Sequence, residues 1–439
     1  MSSLVQRLES YFEFERLGTN WRTEILAGAT TFLTMAYIVF VNPSILAAAG
    51  VPYTGAVAAT CFSAACASLL MGVFARYPIA MAPGMGLNAY FTYTVVLGMG
   101  VSWQAALGAV FISGLAFLIL TVVGVRQLIV AAIPSGLYAA VAAGIGLFIA
   151  VIGFRNAGII APAESTLVKL GNLRDPRTLL ALFCLLLICG LLAWRVRAAM
   201  LLGILGASLL AFLTGVVQWR PAPYRWSEIT STAFKLDLAG ILRADFVEVV
   251  FLFLFVALFD NIGTLVAVGK RAGLFEEGTR IPRLQRILIS DGAATTLGSL
   301  AGTSTVVSYI ESAAGVAAGG RTGVTAAVTG LLFAAALFFA PLLGALPAAA
   351  TAPALIVVGF LMMTTVAEVH WGDPVLGPAA FLTMLAIPLT FSIANGLAFG
   401  FVAYTLLRIV RGEFRSINWL MYLLATLCIL RFVYLGQAG

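Results

Sequence analysis

Long apolar runs separated by short polar gaps fill the chain from about Glu24 to Ile409, and most are span length, near 20 residues. The pattern predicts spans at about 24–48, 54–75, 103–123, 135–153, 178–194, 199–217, 246–268, 323–345, 353–368, 377–391 and 396–409, with a short ninth span opening at Asp291. Two stretches break it. Tyr77 to Tyr93, YPIAMAPGMGLNAYFTY, places Pro78, Pro83, Gly84 and Gly86 within nine residues, too many for a continuous helix. Gly302 to Gly315, GTSTVVSYIESAAG, alternates small hydroxyl and β-branched residues over Thr303–Val307 and turns helical over Ser308–Ala314. Both read as a short extended piece feeding a half-helix, which counts them as the third and tenth spans of fourteen. Irregular backbone survives at membrane depth only inside protein or around a cavity.

Composition agrees: of 439 residues, 62% are hydrophobic and 10% charged, which predicts an all-α polytopic membrane protein. The net charge of +7 belongs to loops rather than to a nucleic-acid surface, because no basic tract occurs. Lys270, Arg271, Arg280, Arg283 and Arg286 form the most positive loop, and Arg76, Arg126, Arg195 and Arg197 mark other turns. These place the loops, and with them the N-terminus, in the cytoplasm. Residues 1–23 form an amphipathic lead-in with no signal-peptide core. Asn42-Pro43 is expected to break the first span. Residues 154–177 read as a polar loop containing Glu164, and 218–245, with WRPAPYRW, as a polar insertion dividing the chain. The apolar tail 417–435 reads as a helix at the inner surface. Cys61, Cys66, Cys184, Cys189 and Cys428 lie in apolar runs and read as packing residues.

Matching features recur in both halves. Asn42 and Asp260 stand 218 positions apart, Asn88 and Glu311 223, each near half the chain. Two copies of about seven spans fit, 24–217 and 246–411, joined by 218–245 and followed by 412–439. An odd number of spans makes the copies inverted, with the half-helix ends meeting near mid-membrane. Ionisable residues there are functional candidates: Glu311 in the tenth span and Asp260 in the eighth, with Thr264 sharing its helical face. Asp291 is a further proton-coupling candidate or a helix cap. Asn88 suits either a ligand or interhelical glue, and broken backbone beside it favours the ligand.

These residues suit a flat, uncharged heterocycle edged with N–H and carbonyl groups. A carboxylate accepts two N–H bonds, a carboxamide donates and accepts, and free amides near Thr303, Ser304 and Thr305 would hold a carbonyl. Phe91, Tyr90 or Phe259 would cover a ring face or simply pack. A membrane-embedded carboxyl that loads and releases a proton supplies coupling. An anion exchanger or channel of the same fold class is the rival, and an acid at the site argues against it. An enzyme, a metal site or a cofactor finds no support: His370 sits in a polar turn, and HExxH and GxSxG are absent.

PGMGLNAYF (83–91), LFDNIGTL (258–265), GTSTVVSYIESAAGVAAGGRTG (302–323) and ERLGTNWRTEILAGATTFLTMAYIVFVNPSIL (15–46) resemble the AzgA-like purine permeases of the nucleobase/ascorbate transporter superfamily. The resemblance implies a core domain (spans 1–4 and 8–11) and a gate domain (spans 5–7 and 12–14), short strands in spans 3 and 10, elevator movement, a homodimer, and proton-coupled import of adenine, guanine or hypoxanthine across the plasma membrane. It implies substrate-binding roles for Gly86, Asn88, Asp260 and Glu311. One departure stands out: where many members carry a further acid, this chain has Ala257. That opens the alternative of another planar heterocycle.

Overall fold

The computed structural model describes residues 3–123, 133–163, 165–217, 226–241, 245–275, 281–343 and 346–434. Arg126, Glu164, Arg280, most of WRPAPYRW and the Phe259 side chain lie outside the described residues. The helices include α1 (Ser3–Tyr11), α2 (Phe14–Leu17), α3 (Trp21–Met35), α4 (Ile38–Ala48), α5 (Tyr53–Leu70), α6 (Met85–Ala89), α7 (Trp103–Val123), α8 (Ser135–Asn156) and α9 (Pro176–Ala193). They continue with α10 (Ala199–Leu213), α11 (Asp245–Arg271), α12 (Leu284–Ala301), α13 (Ser312–Ala317), α14 (Gly323–Leu343), α15 (Ala348–Met363), α16 (Leu376–Thr390), α17 (Ile393–Val410) and α18 (Trp419–Tyr434). Strands are β1 (Met81–Pro83), β2 (Ile160–Ala163), β3 (Leu167–Leu170) and β4 (Val306–Ser308). Among the described residues, eight helical segments are long and apolar enough to cross a membrane. The chain is an integral membrane protein.

Residues 1–122 with 157–354 form one compact unit, and residues 123–156 with 355–439 form another. In the first, α14 packs along α3 and α5, with Gly72 and Gly323 in close backbone contact. Small residues at such crossings let helices approach where no water drives them together. In the second, α8, α16 and α17 pack together, and Gly146 meets Gly359 in the same way.

Several expectations shift. Pro43 lies inside α4, and the first span breaks earlier, at Ala36–Tyr37. A proline ring crowds the carbonyl four residues before it, here Val39, so strain is relieved in the preceding turn. Asp291 neither opens a span nor caps one: α12 begins at Leu284 and buries Asp291 in its third turn. The 154–177 loop contains an antiparallel hairpin, β2 with β3. The apolar tail does form a helix, α18. α18 folds back along α17, with Arg431 Nη1 donating to Asn395 Oδ1 at 2.8 Å and Phe399 against Phe432.

Candidate functional site

The two interrupted stretches meet as strands. β1 pairs antiparallel with β4 in the register Met81↔Ser308, Ala82↔Val307, Pro83↔Val306. Gly84 N–H to Thr305 C=O (2.9 Å) and Tyr309 N–H to Ala80 C=O (3.0 Å) extend the ladder at either end. The expected extended segment at 303–307 and helix at 308–314 fall about three residues later, at 306–308 and 312–317. Each short helix, α6 and α13, starts just beyond its own strand. Antiparallel pairing therefore sets the two helix starts at opposite ends of a ladder roughly 7 Å long. Gly84 is required by the approach, since a Cβ there would stand 2.8 Å from Val307 Cγ2.

A two-stranded ribbon buried among helices has open edges, and unmet backbone groups there are costly. Side chains close them. Ser68 of α5 accepts from Met81 N–H (2.9 Å) and donates to Met81 C=O (3.0 Å). On the opposite edge, Asn261 Oδ1 accepts from Ser308 N–H (2.6 Å), and Thr295 donates to Val306 C=O (3.0 Å). Tyr309 Oη donates to Pro83 C=O at 2.5 Å, and Pro83 has no N–H to satisfy. Ser312 Oγ accepts from Ala80 N–H at 3.0 Å.

The first span connects the two halves of this arrangement. Tyr37, at the α3–α4 break, donates its hydroxyl to Glu311 Oε1 at 2.8 Å. Asn42, in α4, accepts from Asn88 Nδ2 through its Oδ1, while its Nδ2 donates to Thr60 Oγ1 (2.8 Å) and Thr303 Oγ1 (3.1 Å). Asn88 and Asn42 are fully buried, whereas Glu311 and Asp260 are half-buried. Both acids lie close enough to the Tyr309 hydroxyl to act on it electrostatically. Asp291 accepts from Ser308 Oγ at 3.3 Å, which ties α12 to β4.

Glu311, Asp260, Asn88 and Asp291 thus surround one ribbon, and Gly86 is buried in α6 one turn from it. Thr303 and Ser304 are buried, but of the backbone amides expected to be free there, those of Thr303 and Thr305 are not. Thr303 N–H bonds Gly298 C=O at 2.9 Å, capping α12, and Thr305 N–H bonds Ser304 Oγ at 2.6 Å. Phe91 is packed in the interior, and Tyr90 stacks edge-on against Phe253 with ring centroids 5.2 Å apart.

Sequence reasoning missed Tyr37, Asn261 and Glu24. Tyr37 sits beside a break placed six residues too late, and Asn261 is masked by its acidic neighbour. Glu24, fully buried, accepts from Arg321 N–H (2.9 Å), Thr322 N–H (3.3 Å), Thr325 Oγ1 (2.6 Å) and Thr19 Oγ1 (2.8 Å). It anchors the turn after α13 to the first span. A glutamate at a span boundary carries no sign of that role in its spacing.

Residues 22–399 match the model of a family described as the permease family. The chain is 44% identical to the guanine/hypoxanthine permease PbuG of Bacillus subtilis, over 98% of this chain and 100% of that one. It is 42% identical to the adenine permease AdeP of Escherichia coli, over 98% and 96%. Among solved structures, the transmembrane domain of the cyanobacterial bicarbonate transporter BicA is similar, with a TM-score of 0.63 at 17% identity, covering 88% of this chain and 98% of that one. At that identity the likeness concerns the fold alone.

Proposed function

The chain belongs to the nucleobase/ascorbate transporter family of permeases, and from that premise we propose that it imports a purine nucleobase, adenine, guanine or hypoxanthine, by proton symport. The observation that carries the reading is the β1–β4 ribbon, with Glu311 beyond one strand bonded by Tyr37 and Asn88 beyond the other bonded to Asn42. That set offers in-plane acceptors to an uncharged ring with N–H edges. An acid at the site disfavours an anion as cargo.

In this reading the fold has fourteen spans in two inverted repeats, 24–217 and 246–411, joined by 218–245, with the lead-in 1–23 and the tail 412–439 outside them. Spans 1–4 and 8–11 form a core that moves like an elevator against a gate of spans 5–7 and 12–14. The pairing of one interrupted segment from each half supports the repeats, and no cofactor other than the proton is needed. The protein is a plasma-membrane homodimer among lipids, with a cytoplasmic N-terminus. Glu311, Asp260 and Asp291 are its coupling acids, and Gly86, Asn88, Asp260, Thr303, Ser304 and Glu311 its substrate-binding set. A second reading keeps the mechanism but changes the cargo to another planar heterocycle. It is favoured by Ala257, a buried methyl where an acid would otherwise reach the substrate.

Uptake of radiolabelled adenine, guanine and hypoxanthine tests both readings. Glu311→Gln and Asn88→Ala are expected to abolish uptake with membrane expression intact, and Asp260→Asn to remove proton-driven accumulation. Wild-type uptake in the first two variants would remove the site. Uptake of a pyrimidine or other heterocycle, but no purine, would favour the second reading.

A further inference from the structure

The hydrogen bonds around Asn88 run in a single direction. Thr60 Oγ1 donates its one proton to Ala56 C=O at 2.6 Å, so toward Asn42 it can only accept. Asn42 answers with Nδ2, which reaches Thr60 at 2.8 Å and Thr303 at 3.1 Å. Its Oδ1 is thereby turned to Asn88, which must meet it with Nδ2. The Asn88 Oδ1 atom is left buried without a partner. An amide has nearly the same shape either way round, so shape does not choose between the two orientations. The choice is made two residues away, by the Thr60 proton.

We infer that Asn42 and Thr60 are positioning residues that fix Asn88 as a hydrogen-bond acceptor, so that the site selects bases presenting an N–H rather than a bare ring nitrogen at this position. This rests on the reading of the site as a nucleobase pocket. Glu311 adds a second acceptor, because Tyr37 already donates to its Oε1. The cargo edge facing α6 and α13 is therefore rich in donors. Hypoxanthine and guanine, with N1–H, offer one more ring donor there than adenine, whose N1 is bare.

The test is inhibition of radiolabelled hypoxanthine uptake by hypoxanthine, guanine, adenine and unsubstituted purine. Wild type is expected to hold the N1–H bases about tenfold more tightly than those with bare N1, the worth of roughly one hydrogen bond. Thr60→Val, which keeps the side-chain shape and frees the relay to reverse, is expected to shrink that ratio to about twofold. Thr303→Val leaves the Thr60 constraint in place and is expected to retain it. A general packing defect would weaken all four inhibitors together and leave the ratio unmoved. Should Thr60→Val not fold, Asn42→Asp keeps an acceptor oxygen for Asn88 and is expected to preserve the ratio, and Asn42→Leu to lose it. An unchanged ratio in Thr60→Val, or equal ratios in the two Asn42 variants, overturns the inference. Absence of any nucleobase uptake by wild type is a different result, and sinks the reading of the pocket itself.

Discussion

Ser68→Ala tests whether side chains, rather than neighbouring strands, hold the ribbon together. The serine hydroxyl is the partner of both outward-facing Met81 groups, accepting at 2.9 Å and donating at 3.0 Å, and both residues are fully buried. Alanine removes one oxygen and orphans a donor and an acceptor at once. Each unmet buried group costs about 1–3 kcal/mol, so the pair costs about 2–6 kcal/mol, toward the lower end if water enters the vacated space. That is a large part of the roughly 5–15 kcal/mol by which folded domains are stable. The assay is thermal melting of detergent-purified protein, read as the monodisperse fraction after heating. Thr426→Ala serves as the control, since its hydroxyl bonds only Tyr422 C=O on an exposed helix face. Ser68→Ala is expected to melt several degrees below wild type and to lose uptake, because β1 leads directly into Asn88. Melting equal to that of Thr426→Ala would refute the argument that the ribbon edge depends on Ser68.

Tyr37→Phe removes the hydroxyl that donates to Glu311 at 2.8 Å. A hydrogen bond to a charged group is worth about 1.5–3 kcal/mol, so the apparent affinity measured in uptake should fall by roughly tenfold or more while expression holds, and an unchanged KM would count against the pairing. Asp373, in the turn before α16, accepts from Val375 N–H (2.8 Å) and Leu376 N–H (3.1 Å), and these amides hold its carboxyl below the usual carboxylate range. A depressed folded value means its stabilisation is present above the ordinary carboxylate pKa and is lost as pH falls through the folded one. Asp373→Ala should therefore cost about 1 kcal/mol at neutral pH and progressively less in acid, and a melting difference that does not change with pH would contradict this.

What could be read from the sequence follows from what each residue type does in lipid. The proline and glycine cluster at Pro78–Gly86 announces broken backbone because few other residues interrupt a span, the alternation of hydroxyl and β-branched residues over Thr303–Val307 announces an extended piece, and the two segments do pair. Acids within apolar runs, Asp260, Asp291 and Glu311, stand out because burying them is expensive. Ser68, Thr295 and Thr60 could not be found this way. Serine and threonine occur throughout spans as packing residues, and only the position of a strand edge or an amide gives these three a task. The break at Ala36–Tyr37 was misplaced for a related reason, since Pro43 marks the strain while the turn before it absorbs it.

Ala257 bears on which groups read the cargo. It lies three residues before Asp260 and four before Asn261, so the three share one face of α11, and Asn261 fixes that face against β4 through Ser308 N–H. A methyl at 257 neither donates nor accepts, and it is buried. In the proposed site, recognition from α11 then rests on Asp260 and on Asn261 Nδ2, which is buried without a partner, since the Asn261 oxygen is spent on the ribbon. With the Thr303 and Thr305 amides also spent within the protein, the proposed site keeps the acceptors of Asn88, Glu311 and Asp260, with Asn261 Nδ2 and the Thr305 hydroxyl as donors that are buried without a partner. A site in which acceptors outnumber donors would discriminate by the N–H groups a base carries more than by its carbonyls. The buried methyl at 257 adds no polar atom to that set, so it leaves the kind of edge the cargo must present unchanged.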